Sequence, residues 1–343
     1  LILAIMARKM DECPPNVLFD VRDIGYCLCG LHNKPLEVVE VSQLVSALQI
    51  KIALSKWGKE DEIGSANLIS NANTLNAIKL VKKGMSHGLG IVIEPGMPAF
   101  PPRYTELQVV QPNQHFGRDT TEDFGYDITY NDDILQMWIG TGPQLDGLGH
   151  IGDNDIFYNC HKGADFSFIT GLTKFGIEKV PPLVGRGVVV NMAKYFGISA
   201  MAGGQGITRD DIKNAAKQQN IKFKEGDIIL FHTGWTDAYL KSSPELWGST
   251  IPGITNDAAV YLSSLNPMAV GADTWGLGAV PPVEGDLVYY DHVTLIKENG
   301  IYILETMNTG KLAEDNVTEF LFVLGQPKLK GAVQMIINPI AIH

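Results

Sequence analysis

The segment that organises this chain is residues 141–150, with the sequence TGPQLDGLGH. Side chains two residues apart on an extended strand point to the same side, so Gln144 and Asp146 are predicted to face one site. Glycine adopts backbone conformations that other residues avoid, and the glycines that follow predict a bend that returns His150 to that site. A carbonyl oxygen, a carboxylate and an imidazole that converge in this way are candidate ligands for a divalent metal ion. The alternative interpretation is a polar turn with a surface histidine.

A second informative segment, residues 292–305, has the sequence HVTLIKENGIYILE. It predicts a short helix that ends at Gly300 and a strand over residues 301–304 that leads into Glu305. An acidic side chain that follows an apolar strand is costly to bury unless it is paired or bound to a metal ion. His292 by itself is more typical of the start of a helix.

Strands and helices alternate over residues 184–305, which predicts an α/β layer architecture. The β-branched run 184–191 predicts a buried strand, and the segments 224–235 and 269–275 each contain another. Thr208 and Asp211 form a capping-box pattern at the start of a helix through residue 219. A further helix is predicted from residue 256 or 257 to about residue 265.

The first half of the chain gives weaker signals. Apolar residues near helical spacing predict a helix over residues 39–57, and Asn73 or Thr74 is a candidate N-cap for a helix that Gly84 closes. Strands are predicted at residues 89–94 and 134–139. Residues 101–130 are predicted to be a long loop over the site, in which His115 is either solvent-exposed or part of a lid.

The composition is that of a soluble globular protein, because 45% of the 343 residues are hydrophobic and 19% are charged. A net charge of −11 argues against a nucleic-acid or anionic-membrane partner, since phosphate binding needs clustered lysine and arginine. The four cysteines include no CxxC pair and do not make a disulfide framework. The glycines at 203, 204 and 206 lack the GxGxxG spacing of a dinucleotide site.

No apolar run approaches the ~20 residues that span a bilayer. The short apolar start of the sequence allows a truncated secretory signal, against which a cytoplasmic location is the default expectation.

Residues 140–150 resemble the signature of the cyclase family of metal-dependent hydrolases, which includes kynurenine formamidases, isatin hydrolases and trans-dienelactone hydrolases. That signature reads His-x-Gly-Thr-His-x-Asp-x-Pro-x-His. Gly142, Asp146 and His150 occupy its glycine, its aspartate and its last histidine. Gln144 stands at the middle histidine, as in a longer-chain branch that reads Thr-Gln-x-Asp-Gly-Leu-x-His. Gly140 stands at the first histidine, where it offers no side-chain ligand.

Further segments resemble the family in the same order, over about residues 55 to 310, and three of them carry the most informative residues. They are residues 57–67, residues 186–191 with Asn191 in place of the usual aspartate, and residues 292–305. The resemblance implies a swivelling β/β/α layered domain of the α/β class with a mixed sheet, usually assembled as a homodimer or homotetramer. It divides the chain into residues 1–50, an N-terminal extension and helix, and residues 51–343, the cyclase-like domain.

The activity that the resemblance implies is metal-dependent hydrolysis of an amide or lactone bond in a small cyclic or aromatic substrate, through a metal-activated water. The implied metal ligands are Gln144, Asp146, His150, His292 and Glu305. The candidate catalytic residues are His150, His292 and Glu305. The candidate residues for binding a planar substrate ring are Trp138, Tyr158 and Trp275. For each of them the alternative is ordinary packing.

Two histidines of the family signature are replaced in this chain, which affects both the expected metal and the choice between two functions. Gly140 and Gln144 remove two nitrogen donors, which weakens a preference for zinc and makes manganese an alternative. The rival is a non-catalytic binding protein of the same fold with a degenerate metal site, and Gly140 is its best evidence. The retained acids and histidines argue against it. The expected partners are a small-molecule substrate and further copies of the chain.

Overall fold

The computed structural model describes residues 54–110 and 119–343. The segment Ser55–His343 forms one structural unit. The helix predicted over residues 39–57 lies almost wholly outside the described residues, as do His115 and the N-terminal extension. The domain boundary at residue 50 therefore stays a prediction.

Fifteen strands are present in the described part of the chain. They are β1 Ser86–Gly88, β2 Thr105–Val110, β3 Asp132–Met137, β4 Gln144–Asp146, β5 Ser167–Phe168, β6 Gly171–Leu172, β7 Leu183–Asn191, β8 Gly206–Ile207, β9 Ile228–His232, β10 Gly253–Ile254, β11 Ala269–Ala272, β12 Tyr302–Glu305, β13 Glu319–Leu324, β14 Gln334–Ile336 and β15 Ile340–Ile342.

Nine of these strands form one mixed sheet in the order β1-β15-β13-β7-β9-β11-β12-β4-β14. The four central strands β7, β9, β11 and β12 run parallel, and the strands on both sides of them pair antiparallel. All five residues of β9 are buried, which is typical of a parallel strand covered on both faces. The predicted α/β class with a mixed sheet is confirmed.

Helices cover the sheet. The α-helices are Asn71–Ile78, Thr121–Phe124, Gly163–Phe166, Met192–Phe196, Arg209–Gln218, Trp235–Tyr239, Pro244–Ser249, Asn256–Ser264, Tyr290–His292 and Gly310–Glu314. Short 3-10 helices are Gly64–Leu68, Tyr158–Cys160 and Ile177–Lys179, and Val293–Lys297 is a π-helix. No helix within residues 54–110 and 119–343 is long and apolar enough to cross a membrane.

The strong local signals of the sequence are confirmed. The helix Arg209–Gln218 begins at Thr208, whose hydroxyl accepts from the backbone N–H of Asp211 while the Asp211 carboxylate accepts from the backbone N–H of Thr208. Residues 183–191 form the predicted buried strand, and Gln144–Asp146 is extended as predicted. These signals act between residues at most a few positions apart, which is why the sequence alone carries them.

Two predictions in the first half of the chain are wrong. The strand expected at residues 89–94 lies instead at Ser86–Gly88, paired with β15. The backbone N–H of Leu89 still donates to the carbonyl of Pro339, but proline has no N–H to return the bond, so the ladder ends there. The helix expected to begin at Asn73 or Thr74 is Asn71–Ile78, capped by Ser70 and ending before residue 83.

The prediction of a long loop over residues 101–130 is also wrong. This segment contains β2 and the helix Thr121–Phe124, and β2 pairs antiparallel with β3 over six residue pairs. The middle of β2 is exposed to solvent, so its side chains lack the alternation of apolar and polar residues that marks a half-buried strand. The partner strand supplies the pairing that the local sequence does not indicate.

Candidate metal centre

Three neighbouring strands bring four polar side chains to one buried face. β4 lies between β12 and β14, with Glu305 opposite Gln144 and Gln334 opposite Asp146. Side chains of directly opposed residues lie on the same face of a sheet, so the four groups converge. In sequence, Glu305 is 161 residues from Gln144, and Gln334 is 188 residues from Asp146.

Hydrogen bonds satisfy all but one of the carboxylate oxygens at this face. Gln144 Nε2 donates to Oδ1 of Asp146 at 3.0 Å and to Oε2 of Glu305 at 2.7 Å. Gln334 Nε2 donates to the same Asp146 oxygen at 2.6 Å. Oδ2 of Asp146 is buried, has no hydrogen-bond partner among the described residues, and lies 3.8 Å from Nε2 of His292. A buried carboxylate oxygen without a donor is costly, and a bound cation would remove that cost.

Both predicted imidazoles reach this carboxylate. Gly142, with φ of +78°, allows the turn that precedes β4, and a second turn from Gly147 to His150 returns the chain to the site. One ligand atom from each of Asp146, His150 and His292 lies within 4.8 Å of the others. Metal bonds to nitrogen and oxygen are about 2.0–2.2 Å long, so small side-chain shifts would let one ion contact all three. The donor set fits a divalent transition metal.

His292 is held between two carboxylates. Its Nδ1 lies 2.9 Å from Oδ2 of Asp291, and its Nε2 lies 3.0 Å from Oε1 of Glu305. Burial by itself would lower the pKa of His292, but the charges and hydrogen bonds of Asp291 and Glu305 outweigh burial and raise that pKa well above its ordinary value. A carboxylate behind a metal-binding histidine fixes the orientation of the ring and raises its basicity, and Asp291 has that position.

The pKa values of His150 and Glu305 shift in opposite directions. Burial lowers the pKa of His150 although the charge of Asp146 acts to raise it. Burial and the nearby charge of Asp146 raise the pKa of Glu305 to about 7. Asp146 and Glu305 therefore bring negative charge close together, which a bound cation would offset.

Arginine and glutamine side chains occupy the space beside Gly140. A Cβ atom on Gly140 would lie 2.7 Å from Nη1 of Arg103 and 3.0 Å from Oε1 of Gln334. The Arg103 guanidinium donates a hydrogen bond to the carbonyl of Gly140. The position where the family signature has an imidazole thus holds a guanidinium supplied from 37 residues upstream. No local sequence pattern marks Arg103, Gln334 or Asp291, so none of them is among the predicted site residues.

Two of the predicted aromatic residues lie in different surroundings. Trp138 is exposed and lines, with Gln334, an open groove of about 540 Å³. Tyr158 is buried, and its hydroxyl is hydrogen-bonded with Ser55 at 2.8 Å and Asp61 at 2.6 Å. The placement of Tyr158 favours the alternative of ordinary packing.

Trp275 belongs to a row of aromatic rings that ends at the site. Its ring lies 5.8 Å from that of Phe100, which meets Tyr289 edge-on at 6.5 Å. Tyr289 in turn meets the His292 imidazole edge-on at 5.8 Å. Nearly half of the Phe100 surface is exposed, so the row runs from solvent to the buried histidine.

The five predicted ligands therefore lie around one site, and their role as ligands stays a prediction. Gln144 turns its NH₂ group toward both acids, and the amide would have to rotate for its oxygen to face a cation.

A comparison with known protein families identifies the family of this chain. The family model for putative cyclases matches residues 87–279, more than half of the chain. The chain belongs to the putative cyclase family. The matched cyclase region holds Gln144, Asp146 and His150, whereas His292 and Glu305 lie beyond it. Glu305 joins the site through the pairing of β12 with β4, and His292 joins it from the helix Tyr290–His292.

Solved structures share the cyclase fold. A crystal structure described as a novel cyclase is 28% identical, with a TM-score of 0.73 over 84% of this chain and 98% of its own. Isatin hydrolase A from Labrenzia aggregata, bound to benzyl benzoate, is 18% identical, with a TM-score of 0.54 over 79% of this chain and 98% of its own. Isatin hydrolase A from Ralstonia solanacearum is 17% identical, with a TM-score of 0.55 over 76% and 92%. The two isatin hydrolases show a common fold alone. None of the curated proteins compared with the chain matched it.

Proposed function

We propose that this cyclase-family protein is a metal-dependent hydrolase that opens an amide or lactone bond in a small cyclic or aromatic substrate. The observation that carries the proposal is Oδ2 of Asp146, a buried carboxylate oxygen that no described residue hydrogen-bonds and that faces His292 at 3.8 Å. Asp146, His150 and His292 would hold the ion. A divalent cation there would polarise a carbonyl group and make water nucleophilic near neutral pH.

The chain supplies the groups that this chemistry needs around the ion. Glu305 can accept the proton of the attacking water, since burial and the charge of Asp146 raise its pKa to about 7. Asp291 and Gln144 position these two groups through their own hydrogen bonds. The positive charge of Arg103 at Gly140 can stabilise the negative charge that develops on the carbonyl oxygen.

The aromatic row supports a flat substrate. Trp275, Phe100 and Tyr289 lead from the surface to His292, and stacked or edge-on aromatic contacts hold a planar ring. Burial and the charge of Glu305 raise the pKa of the Tyr289 hydroxyl, so it stays protonated near neutral pH. That hydroxyl can give a proton to the departing nitrogen or oxygen.

The test is hydrolysis by protein stripped with a chelator and reloaded with Zn²⁺ or Mn²⁺. The panel contains aryl formamides, isatin-like lactams, cyclic imides and unsaturated lactones. We expect hydrolysis of at least one class, lost on chelation, restored by metal and abolished in Asp146→Ala. Asp132→Ala, an exposed aspartate on β3, is the matched control and should retain activity. Activity that survives both chelation and Asp146→Ala would overturn the assignment.

One observation favours the rival, a binding protein with a degenerate metal site. The guanidinium of Arg103 already places positive charge beside Gly140, where the family signature has a metal-binding histidine. Metal-loaded protein that binds panel compounds in calorimetry but hydrolyses none of them would establish this second function. The homodimer or homotetramer expected from the family remains a proposal, which light scattering on the purified protein tests.

A further inference from the structure

A second group of histidines and a carboxylate lies at the edge of the nine-stranded sheet. His87 is the middle residue of β1, and His343 directly follows β15, the strand that pairs with β1. Asp315 directly follows the helix Gly310–Glu314. These residues belong neither to the candidate metal centre nor to the row of aromatic rings.

The two imidazoles face each other through the same ring atom. Nε2 of His87 lies 3.0 Å from Nε2 of His343, and the ring planes are within 8° of parallel with centroids 5.2 Å apart. Oδ2 of Asp315 lies 3.6 Å from Nε2 of His87. A pair of neutral imidazoles in this arrangement shares one proton, so one nitrogen keeps a lone pair directed at the other.

These distances suit a metal ion. Zinc bonds to histidine are about 2.0–2.1 Å long, so two nitrogens on one tetrahedral ion lie about 3.3 Å apart. The observed 3.0 Å between the two Nε2 atoms is only a few tenths of an ångström shorter. One ligand atom from each of the three residues lies within 4.8 Å of the others. The ion would take the place of the shared proton.

The surroundings of the cluster suit a cation that enters from water. His343 is buried, whereas the Asp315 side chain is 38% exposed, so one side of the cluster is closed and the other faces solvent. Burial, with the nearby charges of His87 and Lys83, lowers the pKa of His343 and favours the neutral imidazole that binds metals. Water can fill the remaining coordination positions.

We propose that His87, Asp315 and His343 bind a second divalent ion of the zinc class, independent of the candidate metal centre. The ion would fasten β15 to β1 and to the end of the helix Gly310–Glu314. Binding to the folded state alone would stabilise this edge of the sheet. Its role is structural, and it does not depend on the proposed hydrolase activity.

The experiment measures metal stoichiometry and thermal stability in the full chain. Metal-stripped Asp146→Ala protein, in which the first centre is disabled, is titrated with Co²⁺ and then with Zn²⁺. We expect it to bind one equivalent, with a visible absorption band from Co²⁺ bound to imidazole and a rise in Tm. Adding His87→Gln or Asp315→Asn should remove the tight equivalent and the rise in Tm. The control is His161→Gln, a histidine outside both clusters, which should change neither.

The outcomes separate the two sites. Retention of the equivalent in both His87→Gln and Asp315→Asn, or an absence of tight binding in the Asp146→Ala background, overturns the proposal whatever the panel of substrates shows. His343→Gln is a third variant. If its loss of a buried side chain prevents folding, as circular dichroism without metal would show, the other two variants still decide the question. His87→Gln in the otherwise unchanged protein should leave any hydrolysis by the first centre intact.

Discussion

Replacing Glu305 by glutamine should make the free energy of unfolding of the metal-free protein depend less strongly on pH. Glu305 is 4% exposed, and burial together with the charge of Asp146 raises its pKa from 4.5 to about 7. A carboxyl group whose pKa is higher in the folded state stabilises the fold while it is protonated. That contribution is complete below the unfolded value of 4.5 and is lost as the pH rises through 7.

The magnitude follows from the two pKa values. The pKa of Glu305 is 4.5 in the unfolded chain and about 7 in the folded protein. By linkage, ionisation of Glu305 lowers the free energy of unfolding by about 2–3 kcal/mol between pH 5 and pH 8. Glutamine cannot ionise, so the variant should lack this loss. Glutamine at position 305 does not reproduce every hydrogen bond that Glu305 makes with Gln144 and His292. The loss of those bonds changes the free energy of unfolding of the variant by an amount that depends little on pH. The change between the two pH values therefore reports the ionisation of residue 305 together with its effect on His292.

The assay is urea unfolding of chelator-treated wild type and Glu305→Gln at pH 5, 6, 7 and 8. The difference between their free energies of unfolding should move by about 2–3 kcal/mol in favour of the variant as the pH rises. Asp291 lies 2.9 Å from His292 and raises the pKa of that histidine in both proteins. A difference that stays constant across this range, or that moves in favour of wild type, would refute the reasoning.

Two further predictions concern the neighbourhood of the site and the sheet. Gly140→His alone should not improve metal retention on dialysis, because its Cβ would lie 2.7 Å from Arg103 Nη1, whereas Gly140→His combined with Arg103→Ser should raise it. Equal retention by the single and double variants would show that Arg103 does not block the position. Arg186→Gln should destabilise the fold by about 3–5 kcal/mol in urea unfolding, because it leaves the buried Asp227 carboxylate without the guanidinium 2.6 Å away. A loss below about 1 kcal/mol, the range of a surface ion pair, would mean that this pair is effectively solvated.

The sequence predicted those parts of the site whose signals are local. Gln144 and Asp146 alternate on a strand, and both side chains are buried on the same face. The strand that leads into Glu305 was equally clear, and Glu305 is its last residue. The resemblance to the cyclase family then joined the two segments, which no periodicity does. The sequence could not show that Gln334 donates to Asp146, since that contact requires β14 to pair with β4 across 188 residues.

The sequence by itself determined the local elements that present Gln144, Asp146 and Glu305, because strand alternation, capping boxes and glycine turns act over a few neighbouring positions. The tertiary structure decided the surroundings of those residues. It placed Arg103 in the space beside Gly140, set Asp291 behind His292, and left one Asp146 oxygen buried with no donor from any described residue. Charge, burial and unmet hydrogen bonds depend on every segment packed against a group. They become defined only when strands far apart in sequence meet in one sheet.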